Sequence, residues 1–105
     1  MAHGFPLFTD ADIRGPLIRG LRERGWDILR AVDASPQGTL DEVHFEHAAN
    51  NMRCLVTCDS GVQRLAHQWL EQGRWFRMIT WQQKLQHRIS DGDFIRVFEW
   101  LAKHP

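Results

Sequence analysis

Five carboxylates stand where chain order could gather them: Asp10 and Asp12 in "TDAD", Asp41 and Glu42 in "TLDE", and Asp59 in "CLVTCDSG". Each group follows an apolar run or opens a helical one. Carboxylates brought together repel and raise one another's pKa unless a cation joins them. A hard divalent ion with oxygen ligands, Mg²⁺ or Mn²⁺, relieves that repulsion. Such an ion can activate water and stabilise the charge that builds up on a phosphate. The plainer reading uses the same positions. Asp41 and Glu42 are ordinary first-turn acids that complement a helix dipole, and Asp12 or Asp59 could cap the helix that follows it. Cap and ligand positions coincide at such a rim, so position alone leaves both open.

The elements that must hold these acids alternate along the whole chain. "PLFT" reads as a first strand closed by Asp10, and "DIRGPLIRGLRERG" as a helix with Ile13, Leu17, Ile18 and Leu21 at helical spacing. Residues 26–32, "WDILRAV", read as a second strand, and "DASPQG" as a turn-rich loop. "TLDEVHFEHAANN" reads as a helix opened by a Thr39–Glu42 capping box. "RCLVTC" is apolar enough for a strand buried on both faces. "VQRLAHQWLEQG" is amphipathic, with Val62, Leu65, Ala66 and Trp69 on one side. "WFRMITW" reads as the last strand, and the chain beyond Trp81 as helical, ending in "SDGDFIRVFEWLAKH". That helix is capped by Ser90 with Asp93 and carries a Phe94, Val97, Phe98, Leu101 stripe. Strand–helix alternation with short loops implies a parallel sheet with helices on both faces. Ligands of such sheets bind outside the carboxyl ends of the strands, where Asp10, Asp12 and Asp59 fall and where the helix of Asp41 begins.

With 105 residues the chain is expected to form one domain, residues 1–105. Its 13 basic and 13 acidic side chains cancel, so bulk charge announces neither a nucleic acid nor a membrane. Lys84 and Lys103 are its lysines and the other eleven bases are arginines, a skew that suits phosphate contacts but that genomic base composition also produces. "MAHGFPLFTD" lacks the pattern of a secretory signal, and no window approaches the ~20 apolar residues of a membrane span. Cys54 and Cys58 lie on one face of a strand roughly 13 Å apart, too far to bridge. They read as small buried residues of a cytoplasmic protein.

Taken in order, "LFTDADIRGPLIRGLRERGWDI" and "LDEVHFEHAANNMRCLVTCD" resemble the small PIN-like proteins, relatives of the PIN-domain toxin ribonucleases of bacterial toxin–antitoxin pairs. The likeness runs over about residues 6 to 81 and rests on three pieces in register: "TDAD", "LDE…HA" and "CLVTCD". It implies a three-layer PIN-like α/β fold, with a central, mostly parallel sheet of about four strands, whose acids hold Mg²⁺ or Mn²⁺ and cleave RNA. By position Asp10 would be the principal ligand, Asp41 (with Glu42 as the nearby substitute) the second acid and Asp59 the third. Thr57 matches a hydroxyl residue that would orient the third acid or a water. Asp12 falls where the family often has a polar residue. Two departures stand out. The family often continues the third acid as Asp-x-Asp-Phe, whereas this chain reads "DSGV" with Gly61, and an acid that often follows the first is here Ala11. Each lost ligand charge lowers the expected metal affinity.

Other residues weigh less. His44 and His47 lack the further ligands of a structural zinc site. No nucleophile–histidine pair stands out, and Asp59 disfavours a thiolate at Cys58. The five tryptophans fit a core or a dimer interface, although "GRWFR" could stack bases. Arg14 and Arg19, with Arg22 and Arg24, could guide an RNA backbone toward the acids, or simply form a solvated helix face. Three functions follow. One is a metal-dependent endoribonuclease, the toxin of a toxin–antitoxin pair. The second is a PIN-like fold with an eroded acid site that binds RNA or a small antitoxin-like protein without cutting. The third is a phosphoacceptor receiver, which would need a lysine at the end of a fifth strand. The aromatic load of the last two elements adds the expectation of a homodimer.

Overall fold

The computed structural model describes residues 3–104, so the expected domain runs past the described residues at both ends. Strand β1 spans His3–Thr9, and helix α1, Gly15–Glu23, returns the chain to β2, Trp26–Arg30. A short helix α2, Ala31–Ala34, leads to α3, Asp41–Asn50, and then to β3, Cys54–Thr57. Helix α4, Gly61–Glu71, precedes β4, Met78–Thr80, and a 3₁₀ turn, Gln83–His87, leads into α5, Asp91–Lys103.

The four strands are all parallel, in the order β2-β1-β3-β4. Side chains alternate across the strands, so neighbouring residues serve opposite layers. Leu7, Cys54 and Val56 join Leu17, Ile18 and Leu21 of α1 and Phe94 and Phe98 of α5 in one core. Phe8 and Leu55 pack on the other side with Phe45 and Ala48 of α3 and Val62, Ala66 and Trp69 of α4. The expected three-layer α/β architecture is therefore present. Leu7 and Phe8, adjacent in sequence, are both fully buried, which only a sheet covered on both faces allows.

Glycine matters where α1 meets α5. A Cβ added to Gly20 would lie 2.6 Å from Cδ1 of Ile95, so the Ile95 side chain occupies the space that a larger residue there would need.

Four expectations require correction. The second strand ends at Arg30, and Ala31 and Val32 are helical, because β1 ends at Thr9, the partner of Arg30, and leaves nothing further to pair with. The Thr39–Glu42 capping box does not form. Leu40 is the N-cap of α3 and makes no side-chain cap, while the Thr39 hydroxyl donates back to the Pro36 carbonyl. Val97 is 55 % exposed, and Ile95 takes the buried place beside Phe94 and Phe98, its side chain lying over Gly20 of α1. The stretch after Trp81 is one 3₁₀ turn before α5 rather than continuous helix. By contrast, Ser90 does cap α5, accepting the Asp93 N–H at 3.1 Å.

The sheet ends at β4, so among the described residues no fifth strand offers a receiver-type lysine; Lys84 lies in the 3₁₀ turn and Lys103 closes α5. No described helix is long and apolar enough to cross a membrane.

Candidate functional site

Strand order reverses between β1 and β3: the chain runs outward to β2 on one side and to β4 on the other. Parallel sheets open a crevice at such a switch point, beyond the carboxyl ends of the two central strands. Asp10 follows β1 directly, and its N–H continues the ladder by donating to the Val56 carbonyl at 2.9 Å. Asp59 stands two residues beyond β3.

A cleft of about 510 Å³ lies there, and Asp10, Asp12, Asp41 and Asp59 all line it. Its far wall is Trp81, Gln82 and Gln83, the segment leaving β4.

Hydrogen bonds fix three of the four acids. Thr57 is fully buried, and its hydroxyl donates to Oδ2 of Asp10 at 3.0 Å while accepting the Asp59 N–H at 3.0 Å. The Ala11 N–H donates to Oδ1 of Asp10 at 2.8 Å. Asp59 accepts the Gly61 N–H at 2.9 Å just before α4, although the N-cap of that helix is Ser60, which makes no side-chain cap. Asp12 reaches across the crevice and accepts the Cys58 N–H at 3.2 Å, tying the loop after β1 to the end of β3. The side chain of buried Gln86 donates to the Asp12 carbonyl at 3.2 Å. Asp41, the first residue of α3, accepts from no backbone N–H or hydroxyl and meets only the Asp59 carboxyl.

The electrostatics follow from this crowding. Burial raises the Asp12 carboxyl above the usual aspartate range, and the charges of Asp10 and Asp59 add to the effect. Asp41 is raised by burial, then by the charges of Asp59 and Asp10, and by a hydrogen bond to Asp59 that favours its protonated form. Burial, with Asp12 and Asp10 nearby, pushes the Cys58 thiol up to about 12, which removes it as a nucleophile. Neither Lys nor Arg lines the cleft.

Compared with known proteins, the chain matches no family model, no characterised protein and no solved structure.

The donor set fits a hard divalent ion in its chemistry: oxygen ligands alone, two carboxyls pushed up by their neighbours, and a buried Oδ1 of Asp12 with no hydrogen-bond partner. Among the described residues, no three His, Cys, Asp or Glu side chains are grouped closely enough to hold a metal ion as they stand. Closing such a set requires carboxylates to rotate inward.

The expected residues divide. Asp10, Asp12, Asp41 and Asp59 meet in one cleft with Thr57 beneath them. Glu42 is exposed and lines a separate hollow with Arg64, outside the acid cleft. Arg14 donates to the Gln86 carbonyl at 3.2 Å and pairs with Asp91 at 3.5 Å, which anchors the 3₁₀ turn and the start of α5. Arg19 lines a hollow with Arg22 and Arg30, away from the acids. Four contributors carried no signal in the acid pattern. Trp81, Gln82 and Gln83 could have been found by applying the carboxyl-end rule to β4 as well. Gln86 could not, because nothing local marks a glutamine that will be buried against a distant loop.

Proposed function

We propose that this chain is a Mg²⁺- or Mn²⁺-dependent endoribonuclease of PIN-like type, with Asp10, Asp41 and Asp59 as the ion's ligands and Asp12 supporting them. The observation that carries the reading is the meeting of carboxylates from three chain segments in one cleft that no Lys or Arg lines. Without a cation such a cleft repels a phosphodiester. The bound ion would supply the charge that draws the phosphate in and the Lewis acidity that eases attack upon it.

The protein's own part is positional. Thr57 holds Asp10 in one orientation and, through the Asp59 N–H, sets the start of the loop that carries Asp59. Asp12 keeps the first and third strand ends together through the Cys58 N–H. Gln82 and Gln83 present amides along the far wall, where they can hydrogen-bond an RNA strand. Within this reading the chain is the toxin of a toxin–antitoxin pair in the cytoplasm, blocked by a small antitoxin-like protein. It forms a homodimer through the outer face of α5, where Val97 and Trp100 are exposed.

Calorimetric titration of Mn²⁺ into wild type and into Asp10→Asn/Asp59→Asn tests the reading, followed by RNA cleavage with and without chelator. Binding and chelator-sensitive cleavage in the wild type alone are expected. Cleavage that survives both changes would sink the assignment.

One observation favours a second reading, in which the fold binds RNA or a partner without cutting. A Cβ added at Gly61 would lie 3.3 Å from Oδ1 of Asp59, so a fourth acid at that position would start hard against the third. RNA bound but left intact at saturating Mn²⁺ would select this reading.

A further inference from the structure

Asp10, Ala11 and Asp41 line two hollows, one on each side of them. The first is the acid cleft. The second, about 430 Å³, is closed by α2, by the loop from Ser35 to Thr39 and by His44 of α3. The two differ in chemistry. Apart from the shared acids, the second hollow has no carboxylate, and no Lys or Arg lines it either. Its surface comes from the small apolar side chains of Ala31, Val32 and Pro36, from the polar loop residues Ser35, Gln37 and Thr39, and from His44. Small-ligand sites have this make-up, mostly apolar with a few polar groups that fix orientation.

We infer that the second hollow is a subsite for one nucleotide of the RNA strand, next to the phosphate held at the acids, and that it gives cleavage a base preference. This rests on the endoribonuclease reading. A strand whose phosphate sits at Asp10 and Asp41 must send its chain away on both sides of them, and the second hollow is the recess on the α2–α3 side. A base is a flat, uncharged group with polar edges, which suits small apolar side chains beside uncharged polar groups and an imidazole better than it suits the acid cleft. The volume falls within the range of small-molecule sites, which start at roughly 300 Å³.

The test uses the full chain and its backbone amide NMR spectrum, titrated with each of the four nucleoside 5′-monophosphates and with trinucleotides. Val32, 52 % exposed on the four-residue helix α2, can be enlarged without entering the core, so Val32→Trp fills the hollow. His44→Ala removes the ring instead. Shifts at Val32, Gly38, Thr39 and His44 are expected, strongest for one base. Affinity should fall about tenfold or more in Val32→Trp, the scale of losing one base contact. Trinucleotides should bind more tightly than the matching mononucleotide. Sequenced cleavage products should show a bias at one fixed position from the cut, erased in Val32→Trp with Mn²⁺ affinity unchanged. Shifts confined to the acid cleft, or a bias that survives both variants, would overturn the subsite. Nucleotide binding here without any cleavage would instead retain the subsite and remove the endoribonuclease reading. Cleavage without bias or shifts would do the reverse.

Discussion

The two ends of the sheet handle charge in opposite ways. At the amino end Asp27 and Glu99 each have a partner. Arg53, just before β3, pairs with both carboxylate oxygens of Asp27 on β2, at 3.1 and 3.3 Å, and donates to the Leu7 carbonyl at 3.0 Å. Glu99 of α5 accepts from the Trp26 indole at 3.3 Å and contacts the His3 ring. Burial alone would raise Glu99, but the hydrogen bonds from His3 and Trp26 outweigh it and hold the carboxyl below the usual range. At the carboxyl end the acids have N–H groups, a hydroxyl and one another, but no cationic side chain lines their cleft. Paired acids have their charge offset within the fold, whereas crowded acids with raised pKa values are the ones whose charge a bound cation would offset, as the proposed function requires.

The largest effect expected concerns that outside group. Asp10→Asn/Asp59→Asn should weaken Mn²⁺ binding more than about a hundredfold by calorimetry, since even residues behind metal ligands are worth ~10–100-fold. Asp27→Asn, at the paired end, should leave Mn²⁺ affinity unchanged. Equal losses in both variants would erase the distinction between the two ends.

Next in size is Arg53→Ala, which strands the Leu7 carbonyl as well as Asp27. A loss of about 1–2 kcal/mol in urea unfolding is expected, most of it from the carbonyl, since exposed ion pairs are worth at most ~1 kcal/mol.

Asp41→Asn should act the other way. Removing a crowded charge should raise the stability of the metal-free protein by a few tenths to ~1 kcal/mol at pH 7, the usual gain from relieving a strained functional site. The same change should reduce Mn²⁺ affinity. A fall in metal-free stability would mean that Asp41 is a structural cap.

The smallest effect is a difference of sign with pH. The Asp41 carboxyl is raised above its ordinary value of 3.8, so the folded state holds the proton more tightly than the unfolded chain. Its contribution is fully present below 3.8 and is lost as pH rises through the raised folded value. The Glu99 carboxyl lies below its ordinary 4.5, so its contribution is present above 4.5 and is lost as pH falls through the lowered value. Carboxyl-carbon NMR titration of the metal-free protein should give midpoints displaced in these opposite directions. Added Mn²⁺ should raise the melting temperature more at neutral pH than at pH 4, because it binds the ionised acids.

Much of the site was legible because its signals are local. Apolar runs that stop on Asp10 and near Asp59 read directly as strand ends, and first-turn Asp41 marks a helix start. Glu42 and Asp41 look alike in sequence, but successive helical residues point about 100° apart, so only one of them faces the acids. Arg14 and Arg19 resemble a phosphate-steering pair until the tertiary contacts commit Arg14 to Gln86 and Asp91. Val32 reads as strand from its β-branched side chain, yet a strand continues only while it has a neighbour to pair with.

The alternation of elements, the two-sided burial of the sheet and the seating of acids at strand ends were fixed by the chain itself, because hydrophobic period and turn chemistry act over a few residues. Strand order was decided only in three dimensions. Placing β3 beside β1, with β2 and β4 outside, depends on which helices pack against which face, as when α1 and α5 share one core through Leu17, Ile18, Phe94 and Phe98. That order makes neighbours of Asp10 and Asp59, nearly fifty residues apart in the chain, and brings the start of α3 to meet them. Side-chain pattern along one segment holds no record of its distant partners, so the acids were visible one by one and the cleft only when the chain had folded.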